Sequence, residues 1–227
     1  VALYLTGAGV GTIGLIDDDV VSVSNLQRQV LYSEAEVGMP KAIQAKKRLE
    51  ALNHDVQINA YPTRLTKENA DEIIRTYDII IDGCDNFATR YLINDICVKW
   101  GKVYVYGAIR AFEGQVSVFN YQGGPDYRHF SRRTEMLSMP HPPKGVLGVT
   151  PGIIGCAEAA EVLKIIGEYG EVLSGKLWTI NVKRWKPISF LSRGIEPTLF
   201  KKTLIPQLCA NSRGMTTSVV RHRPAHG

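Results

Sequence analysis

Short apolar runs that alternate with helical segments constrain the fold of this 227-residue chain more than any other feature. The runs at 12–17, 56–61, 78–82 and 103–106 are typical of strands, and the isoleucine-rich run at 78–82 suits a buried parallel strand. Helical patterns lie between them at 40–53, 67–76 and 86–100. This alternation predicts an α/β fold with a mostly parallel sheet and crossover helices on both faces.

The pattern changes after Gly107. Residues 115–121 alternate between apolar and polar side chains, which indicates an antiparallel strand. A long loop is expected at 122–145, followed by an apolar helix at 151–169 and a late strand at 176–182. We therefore expect one domain over residues 1–186, extended by antiparallel strands, and a basic, poorly ordered tail over 187–227.

The net charge of +5 is unevenly distributed along the chain. Residues 183–227 hold nine of the Lys and Arg side chains and one acid, so the remaining body carries more acidic than basic residues. Because nucleic-acid-binding domains carry their positive charge on the folded body, we expect no nucleic-acid partner. The chain has no run of eighteen or more apolar residues, so no membrane span is expected. Scattered cysteines without a Cys-x-x-Cys pair favour a reducing, cytoplasmic setting.

An acidic cluster closes the first predicted strand. Asp17, Asp18 and Asp19 follow the run Thr12-Ile-Gly-Leu-Ile16. In nucleotide-binding α/β folds an acid at such a strand end binds the ribose hydroxyls. A solvated turn is an equally good interpretation of these aspartates, because Asp is common at strand ends.

The segment after this cluster carries groups that suit phosphate. Asn25, Gln27 and Arg28 lie close together in sequence, and Lys41 lies near the start of a helix. Arg28 can bind phosphate oxygens through two donors, and a lysine beside helix N-terminal amides suits a polyphosphate. The alternative is that both cations are surface residues without a ligand.

A second acidic strand end follows the run of isoleucines. Asp85 lies in the motif Asp82-Gly-Cys-Asp-Asn86, at the carboxyl edge where open α/β sheets bind ligands. A carboxylate there suits Mg²⁺, which prefers one or two carboxylates plus phosphate oxygens. Asp85 could instead be the N-cap of the helix that starts at Asn86, and both roles could hold together.

Seven motifs together resemble the MoeB/ThiF/HesA family, relatives of the ubiquitin-activating enzymes. They are Ala8-Gly-Val-Gly-Thr-Ile-Gly-Leu-Ile-Asp-Asp-Asp19, Ser24-Asn-Leu-Gln-Arg-Gln29, Gly38-Met-Pro-Lys41, Asp82-Gly-Cys-Asp-Asn86 with Arg90, Gly107-Ala-Ile-Arg-Ala-Phe-Glu-Gly-Gln115, Gly145-Val-Leu-Gly148 and Pro151-Gly-Ile-Ile-Gly155. The resemblance covers roughly residues 1–182 and implies a Rossmann-like sheet, ATP and Mg²⁺. It also implies adenylation of the C-terminal glycine of a ubiquitin-like sulfur-carrier protein ending in Gly-Gly, by a homodimer.

The resemblance also assigns roles to individual residues. Asp17 would hold the ribose, Asn25, Arg28 and Lys41 the phosphates, and Asp85 the Mg²⁺. Arg28, Lys41 and Asp85 would carry the catalysis. The full set expected to bind the nucleotide is Asp17, Asp19, Ser24, Asn25, Leu26, Gln27, Arg28, Lys41, Asp85 and Asn86.

The chain departs from the family pattern at three places. The family opens with a strand and a glycine-rich phosphate loop, and neither is expected here. Gly7, Gly9 and Gly11 belong to a helix exit, so they do not form such a loop. Without the strand, one position of the sheet is expected to be unpaired. Zinc is not expected, because Pro125-Asp-Tyr-Arg-His129 stands where many members have a Cys-x-x-Cys pair. His141 stands where several relatives place a cysteine, and Cys156 is expected to pack inside the following helix.

Two other functions fit parts of the pattern. A nicotinamide-dependent dehydrogenase would use Asp17 equally well, although the Asn25–Arg28 segment has no evident purpose there. A non-catalytic binding relative of the same fold would explain the missing phosphate loop. The sequence leaves open whether the carrier belongs to the molybdopterin, thiamine or cysteine pathway.

Overall fold

The computed structural model of the protein describes residues 1–131, 145–191 and 217–221. Its helices are α1 (Ala2–Gly7), α2 (Val23–Leu26), α3 (Lys41–Leu52), α4 (Ala70–Ile74), α5 (Phe87–Trp100), α6 (Tyr127–Ser131) and α7 (Val149–Gly167), with a 3-10 turn at Glu34–Glu36. Its strands are β1 (Thr12–Ile16), β2 (Gln57–Tyr61), β3 (Ile79–Ile81), β4 (Val103–Arg110), β5 (Glu113–Phe119), β6 (Lys176–Asn181), β7 (Lys186–Leu191) and β8 (Thr217–Arg221).

All eight of these strands form one sheet, in the order β2-β1-β8-β3-β4-β5-β6-β7. Strand β1 is parallel to β2 and β3 is parallel to β4. Strands β5, β6 and β7 continue the sheet as an antiparallel meander beside β4. Strands β1 to β4 therefore run in one direction, and the predicted α/β fold with an antiparallel extension in the second half is confirmed.

The position between β1 and β3 is occupied by β8, which runs antiparallel to both neighbours. In the usual strand order of dinucleotide-binding folds this central position belongs to the first strand. The expectation of an unpaired sheet position is therefore wrong for this structure, because β8 pairs with the backbones of β1 and β3.

This strand also corrects the prediction of a poorly ordered tail over 187–227. That prediction is wrong for β7 and β8, while the rest of the range lies outside the described residues. Val219 and Val220 are completely buried in the centre of the sheet. A five-residue segment has too little periodicity to be recognised as a strand, and its pairing with residues more than 130 positions away is a tertiary effect.

Close packing fixes β8 against β1. Gly14 lies opposite Val219 in the β1–β8 ladder. A Cβ on Gly14 would overlap the Val219 side chain and the Tyr77 ring, so only glycine permits this approach. Arg221, at the end of β8, donates from Nε to the carbonyl oxygen of Thr76 at 2.6 Å.

Two apolar cores confirm the prediction of helices on both faces. One contains Ile74, Ile93 and the rings of Tyr104, Phe119 and Tyr127, and the other contains buried residues of α1, α3 and α7. Helix α6, which supplies Tyr127, lies inside the loop predicted at 122–145, of which residues 132–144 are outside the described part. None of the helices that the structure describes is long and apolar enough to cross a membrane.

Candidate nucleotide site at the carboxyl edge of the sheet

Three parallel strands end at the same edge of the sheet, and an aspartate follows two of them directly. Strand β1 ends at Ile16 before Asp17, β3 ends at Ile81 before Asp82, and β4 ends at Arg110. The backbone continues the ladder for one residue, because Asp17 N–H donates to the Tyr61 carbonyl at 3.2 Å and Asp82 N–H donates to Val105 at 2.8 Å. Ligands of open α/β sheets bind at this edge.

The acidic end of β1 turns back onto the start of α3. Asp17 is buried, and its Oδ1 accepts a 2.8 Å hydrogen bond from the Asp19 backbone N–H. Lys41, the first residue of α3, has a completely buried side chain whose Nζ lies 3.1 Å from Asp19 Oδ2. The structure therefore brings Asp17, Asp19 and Lys41 together, with Lys41 directed at a carboxylate.

The segment Ser24–Arg28 forms a second group. Helix α2 is one turn long, so Arg28 folds back over it and donates to the Ser24 carbonyl and to Asn25 Oδ1, each at 3.2 Å. Asn25 is buried, and Leu26 packs against the apolar core. Burial lowers the pKa of the Arg28 guanidinium. A partly desolvated guanidinium with a fixed orientation is a strong binding group for an anion.

Arg90 of α5 forms a buried ion pair with Asp82, the aspartate at the end of β3. Arg90 Nε donates to Asp82 Oδ2 at 2.7 Å, and its Nη2 donates to the carbonyls of Cys84 and Gly107, each at 3.1 Å. Tyr104 donates its hydroxyl to the same Asp82 oxygen at 3.2 Å. Arg90 and Asp82 are both buried, so this pair organises the loop that leads to Asp85.

Asp85 lies on the half-exposed loop after this pair. Its Oδ1 accepts a 3.3 Å hydrogen bond from Asn86 Nδ2. The alternative that Asp85 caps α5 is wrong, because Asn86 is the N-cap and accepts from the Thr89 N–H at 2.8 Å. The described residues contain no group of three or more His, Cys, Asp or Glu suited to a metal, so Asp85 would need phosphate oxygens as further ligands.

A cavity of about 380 Å³ opens between the carboxyl edge, α1 and α7. Its walls are mainly apolar, with Leu15, Ile81 and Tyr32 among them, and its polar groups include Arg28, Asp82, Glu158 and Ser218 of β8. Of the ten residues predicted to bind the nucleotide, Arg28 lines this cavity, and the Asp17–Lys41 group and Asp85 lie outside its lining. The roles predicted for the ten residues stay predictions.

Glu158 is the residue at this cavity that sequence reasoning missed. It lies on α7, is 1 % exposed, and its Oε1 has no hydrogen-bond partner among the residues that the structure describes. Burial, and then the charge of Asp82, raise the pKa of Glu158 well above its ordinary value. The sequence signal was a glutamate in the middle of an apolar helix, where a buried carboxyl without a partner is costly.

The residues tied to sulfur and zinc chemistry have separate environments. Cys156 was expected to pack inside α7, which is wrong, because it is exposed and lines the cavity. Asp126 Oδ1 accepts from the backbone N–H of His129 at 2.5 Å, so this aspartate caps α6. His141 lies outside the described residues.

Comparison with known proteins places these features in one family. Residues 1–193 match the ThiF family. The chain is 50 % identical over 182 residues to a probable molybdopterin-synthase adenylyltransferase of Porphyra purpurea, covering 79 % of this chain and 48 % of the relative. It is 48 % identical over 187 residues to a sulfur carrier protein adenylyltransferase of Thermus thermophilus, covering 77 % of this chain and 67 % of the relative.

The fold has counterparts among solved structures. The crystal structure of Escherichia coli MccB superimposes with a TM-score of 0.72 at 22 % identity, covering 99 % of this chain and 63 % of MccB. Similarity at that identity shows the Rossmann-like fold alone. The chain spans about half the length of several curated relatives that it matches. By its sequence match over most of its length, this chain belongs to the ThiF family.

Proposed function

We propose that this chain forms the nucleotide-binding part of an enzyme that adenylates a ubiquitin-like sulfur-carrier protein. ATP and the carrier's C-terminal glycine carboxylate are the substrates, and the carrier acyl-adenylate and pyrophosphate are the products. Support comes from family membership and from two relatives, at 48 and 50 % identity, that are named as adenylyltransferases. The molybdopterin type of carrier has the most support, because the Porphyra relative is named for molybdopterin synthase.

The position of Arg28 is the observation that carries this proposal. Its guanidinium is held by Ser24 and Asn25 of its own segment and lies at the wall of the cavity. Adenylyl transfer needs positioned charge more than a covalent nucleophile, because negative charge spreads over the phosphate oxygens as the bond to pyrophosphate breaks. Arg28 supplies a fixed cation for that charge.

Three further residues near the carboxyl edge of the sheet would position the rest of the nucleotide. Asp17, at the end of β1, would accept hydrogen bonds from ribose hydroxyls. Lys41 pairs with Asp19 and would exchange this carboxylate for a phosphate. Its ammonium group binds one oxygen atom of either anion, so the two partners can replace each other. Asp85 would hold Mg²⁺, which neutralises phosphate charge when it is bound.

A non-catalytic relative of the same fold is the second candidate, and the position of β8 favours it. The first strand of such folds ends in a turn that cradles phosphate through backbone N–H groups. Here β8 runs the opposite way, so its first residues, Thr217 and Ser218, lie beside the carboxyl ends of β1 and β3. No strand-to-helix turn reaches the cavity from this position among the residues that the structure describes.

ATP–pyrophosphate exchange separates these candidates. The protein is incubated with ATP, Mg²⁺, labelled pyrophosphate and a molybdopterin-type carrier that ends in Gly-Gly, with the same carrier lacking Gly-Gly as control. Exchange that depends on Gly-Gly supports adenylation. ATP binding without exchange supports the non-catalytic relative, and binding of NAD in preference to ATP would contradict both.

A further inference from the structure

The carboxyl of Glu158 has an unused hydrogen-bonding oxygen in the wall of the cavity beside the candidate nucleotide site. The side chain is 1 % exposed, and its Oε1 has no partner within the described part of the chain. A buried carboxyl oxygen without a partner is costly, because it has given up its hydrogen bonds to water. A ligand that supplies the missing hydrogen bond is therefore favoured at this position.

The surroundings of Glu158 leave its carboxyl, and not the neighbouring acid, available to a ligand. Gly107 of β4 lies so close that a Cβ on it would overlap the Glu158 carboxyl, so only glycine makes room for that group. Asp82 lines the same cavity, but its oxygens accept from the Cys84 N–H at 2.9 Å and from Arg90 Nε at 2.7 Å. Of these two acids, Glu158 is the one with capacity for a further hydrogen bond.

The protonation state of Glu158 decides which ligand groups it can bind. Burial raises its pKa well above the ordinary value, so the carboxyl keeps its proton over a wider pH range than an exposed glutamate does. A protonated carboxyl presents one O–H donor beside one acceptor oxygen. Adenine presents the complementary pair, since its 6-amino group donates beside a ring nitrogen that accepts.

The rest of the cavity suits the other parts of a nucleotide. Its volume of about 380 Å³ lies within the range of about 300–1,000 Å³ that is usual for ligand pockets. Leu15, Ile81 and Tyr32 give it apolar walls that a flat aromatic base would cover. Arg28 lines the same cavity and supplies a cation for phosphate. A nucleotide combines the three chemistries that these walls offer.

From these observations we infer that Glu158 binds the adenine base of ATP, through the 6-amino group and an adjacent ring nitrogen, and so sets the base specificity of this cavity. The inference rests on the proposed function, which makes ATP the ligand at this edge of the sheet. The Gly-Gly end of a carrier protein is a poorer occupant of this position, because two glycines have no side chains with which to cover the apolar walls.

The test compares ATP with purine riboside triphosphate, which carries hydrogen in place of the 6-amino group, in binding titrations of the full chain. The wild type should bind ATP about tenfold or more tightly, because the analogue leaves the buried carboxyl without one of its partners. Glu158→Leu can form neither bond and should bind the two nucleotides equally. Glu158→Gln keeps one donor and one acceptor, so it should keep the preference for ATP.

Glu161→Leu is the matched control. Glu161 is also a buried glutamate of α7, but its Oε2 accepts from the Leu173 N–H at 2.8 Å, and it lies outside the lining of the cavity. This variant should keep the preference of the wild type for ATP. A purely structural role of Glu158 would instead weaken both nucleotides alike in Glu158→Leu and leave their ratio unchanged.

Each outcome of these titrations decides for or against the base contact. Equal affinity of the wild type for ATP and the analogue would overturn the inference, and this comparison needs no variant to fold. A preference for ATP that persists in Glu158→Leu would overturn it too. A raised KM for the carrier in Glu158→Leu, with unchanged ATP affinity, would overturn it in favour of the carrier's tail. If the wild type binds ATP without exchange that depends on Gly-Gly, the proposed function fails and the titrations still test Glu158.

Discussion

Two acidic strand ends lie at the same edge of the sheet. Each begins with a buried aspartate, Asp17 or Asp82, and they differ in the partners and in the acids that follow. After β3, Asp82 is completely buried and receives hydrogen bonds from Arg90, Tyr104 and the Cys84 backbone N–H. After β1, Asp18 and Asp19 keep partly exposed side chains that pair with Arg64 and Lys41. The sequence pattern, aspartates after an apolar run, is similar in both.

The difference separates a structural acid from acids that can exchange partners. A buried carboxylate held by several donors has no spare capacity for a ligand, so Asp82 maintains the loop that carries Asp85. A carboxylate that is open to solvent and pairs with an exposed cation, as Asp18 does with Arg64, can release that cation at small cost. Acidic residues at a strand end thus indicate a binding edge, and the number of donors that each carboxylate already holds decides which of them can take part in binding.

The largest effect on stability is expected for Arg90→Ala, at the end of β3. Removing Arg90 leaves Asp82 buried without its cation, and breaking a buried pair from one side costs about 3–5 kcal/mol of unfolding free energy. Urea unfolding followed by circular dichroism should show a much lower midpoint at pH 7.

Arg128→Ala is the matched control for this prediction. Arg128 pairs with Asp95 through two contacts of 2.5 and 2.6 Å, but both side chains are partly exposed. Its loss is expected to cost about 0–1 kcal/mol. Equal losses in the Arg90 and Arg128 variants would show that burial does not distinguish the two strand ends.

Arg28→Ala should give the next largest effect, on catalysis instead of stability. Losing one preorganised donor to developing charge reduces the rate by about 10²–10³, or about 2.7–4 kcal/mol. We expect that loss in ATP–pyrophosphate exchange, with an unfolding midpoint close to wild type. Arg28→Lys should restore part of the rate, because it keeps the charge and loses the two-donor geometry. Full activity in Arg28→Ala would remove the observation on which the proposed function depends.

Local sequence patterns predict one half of the sheet better than the other. Strands β1, β3 and β4 follow from apolar runs, and α3 and α5 follow from their periodicity and from the Gly101 that ends α5 in a left-handed conformation. Strand β8 could not be predicted in this way. Its position depends on pairing with β1 and β3, and on a glycine at position 14 that leaves room for Val219.

The candidate site shows the same limit. The sequence predicts that Asp17, Arg28 and Asp85 lie near the carboxyl edge of the sheet, since parallel strands end together there. It does not reveal that Lys41 turns toward Asp19, or that Glu158 reaches the cavity from a helix more than 70 residues away from Asp85 in sequence. Such contacts depend on side-chain direction and tertiary packing, which spacing alone leaves undetermined.

Glu158→Gln tests burial through its pH dependence. The raised pKa of Glu158 means that the folded state keeps a proton that the unfolded state loses above its ordinary pKa near 4.5. Stability therefore falls as pH rises above that value, by about 1.4 kcal/mol for each unit until the folded pKa is reached. Glutamine has the same shape and no charge, so the variant should be more stable than wild type at pH 7 and equal to it near pH 4. Parallel stability curves for the two proteins between pH 4 and 8 would show that Glu158 is ionised in the folded state.

The smallest effect on stability is expected for Arg64→Ala, at the end of β1. Arg64 Nε lies 3.1 Å from Asp18 Oδ2, and its side chain is mostly exposed. An exposed pair of this kind contributes about 0–1 kcal/mol, and salt screens most of it, since the Debye length is about 8 Å at physiological ionic strength. The urea midpoint of the variant should differ slightly from wild type at low salt, and the difference should vanish in 1 M NaCl. A loss of 3 kcal/mol or more that persists in salt would place Asp18 in the same class as Asp82, and the contrast between the two strand ends would no longer hold.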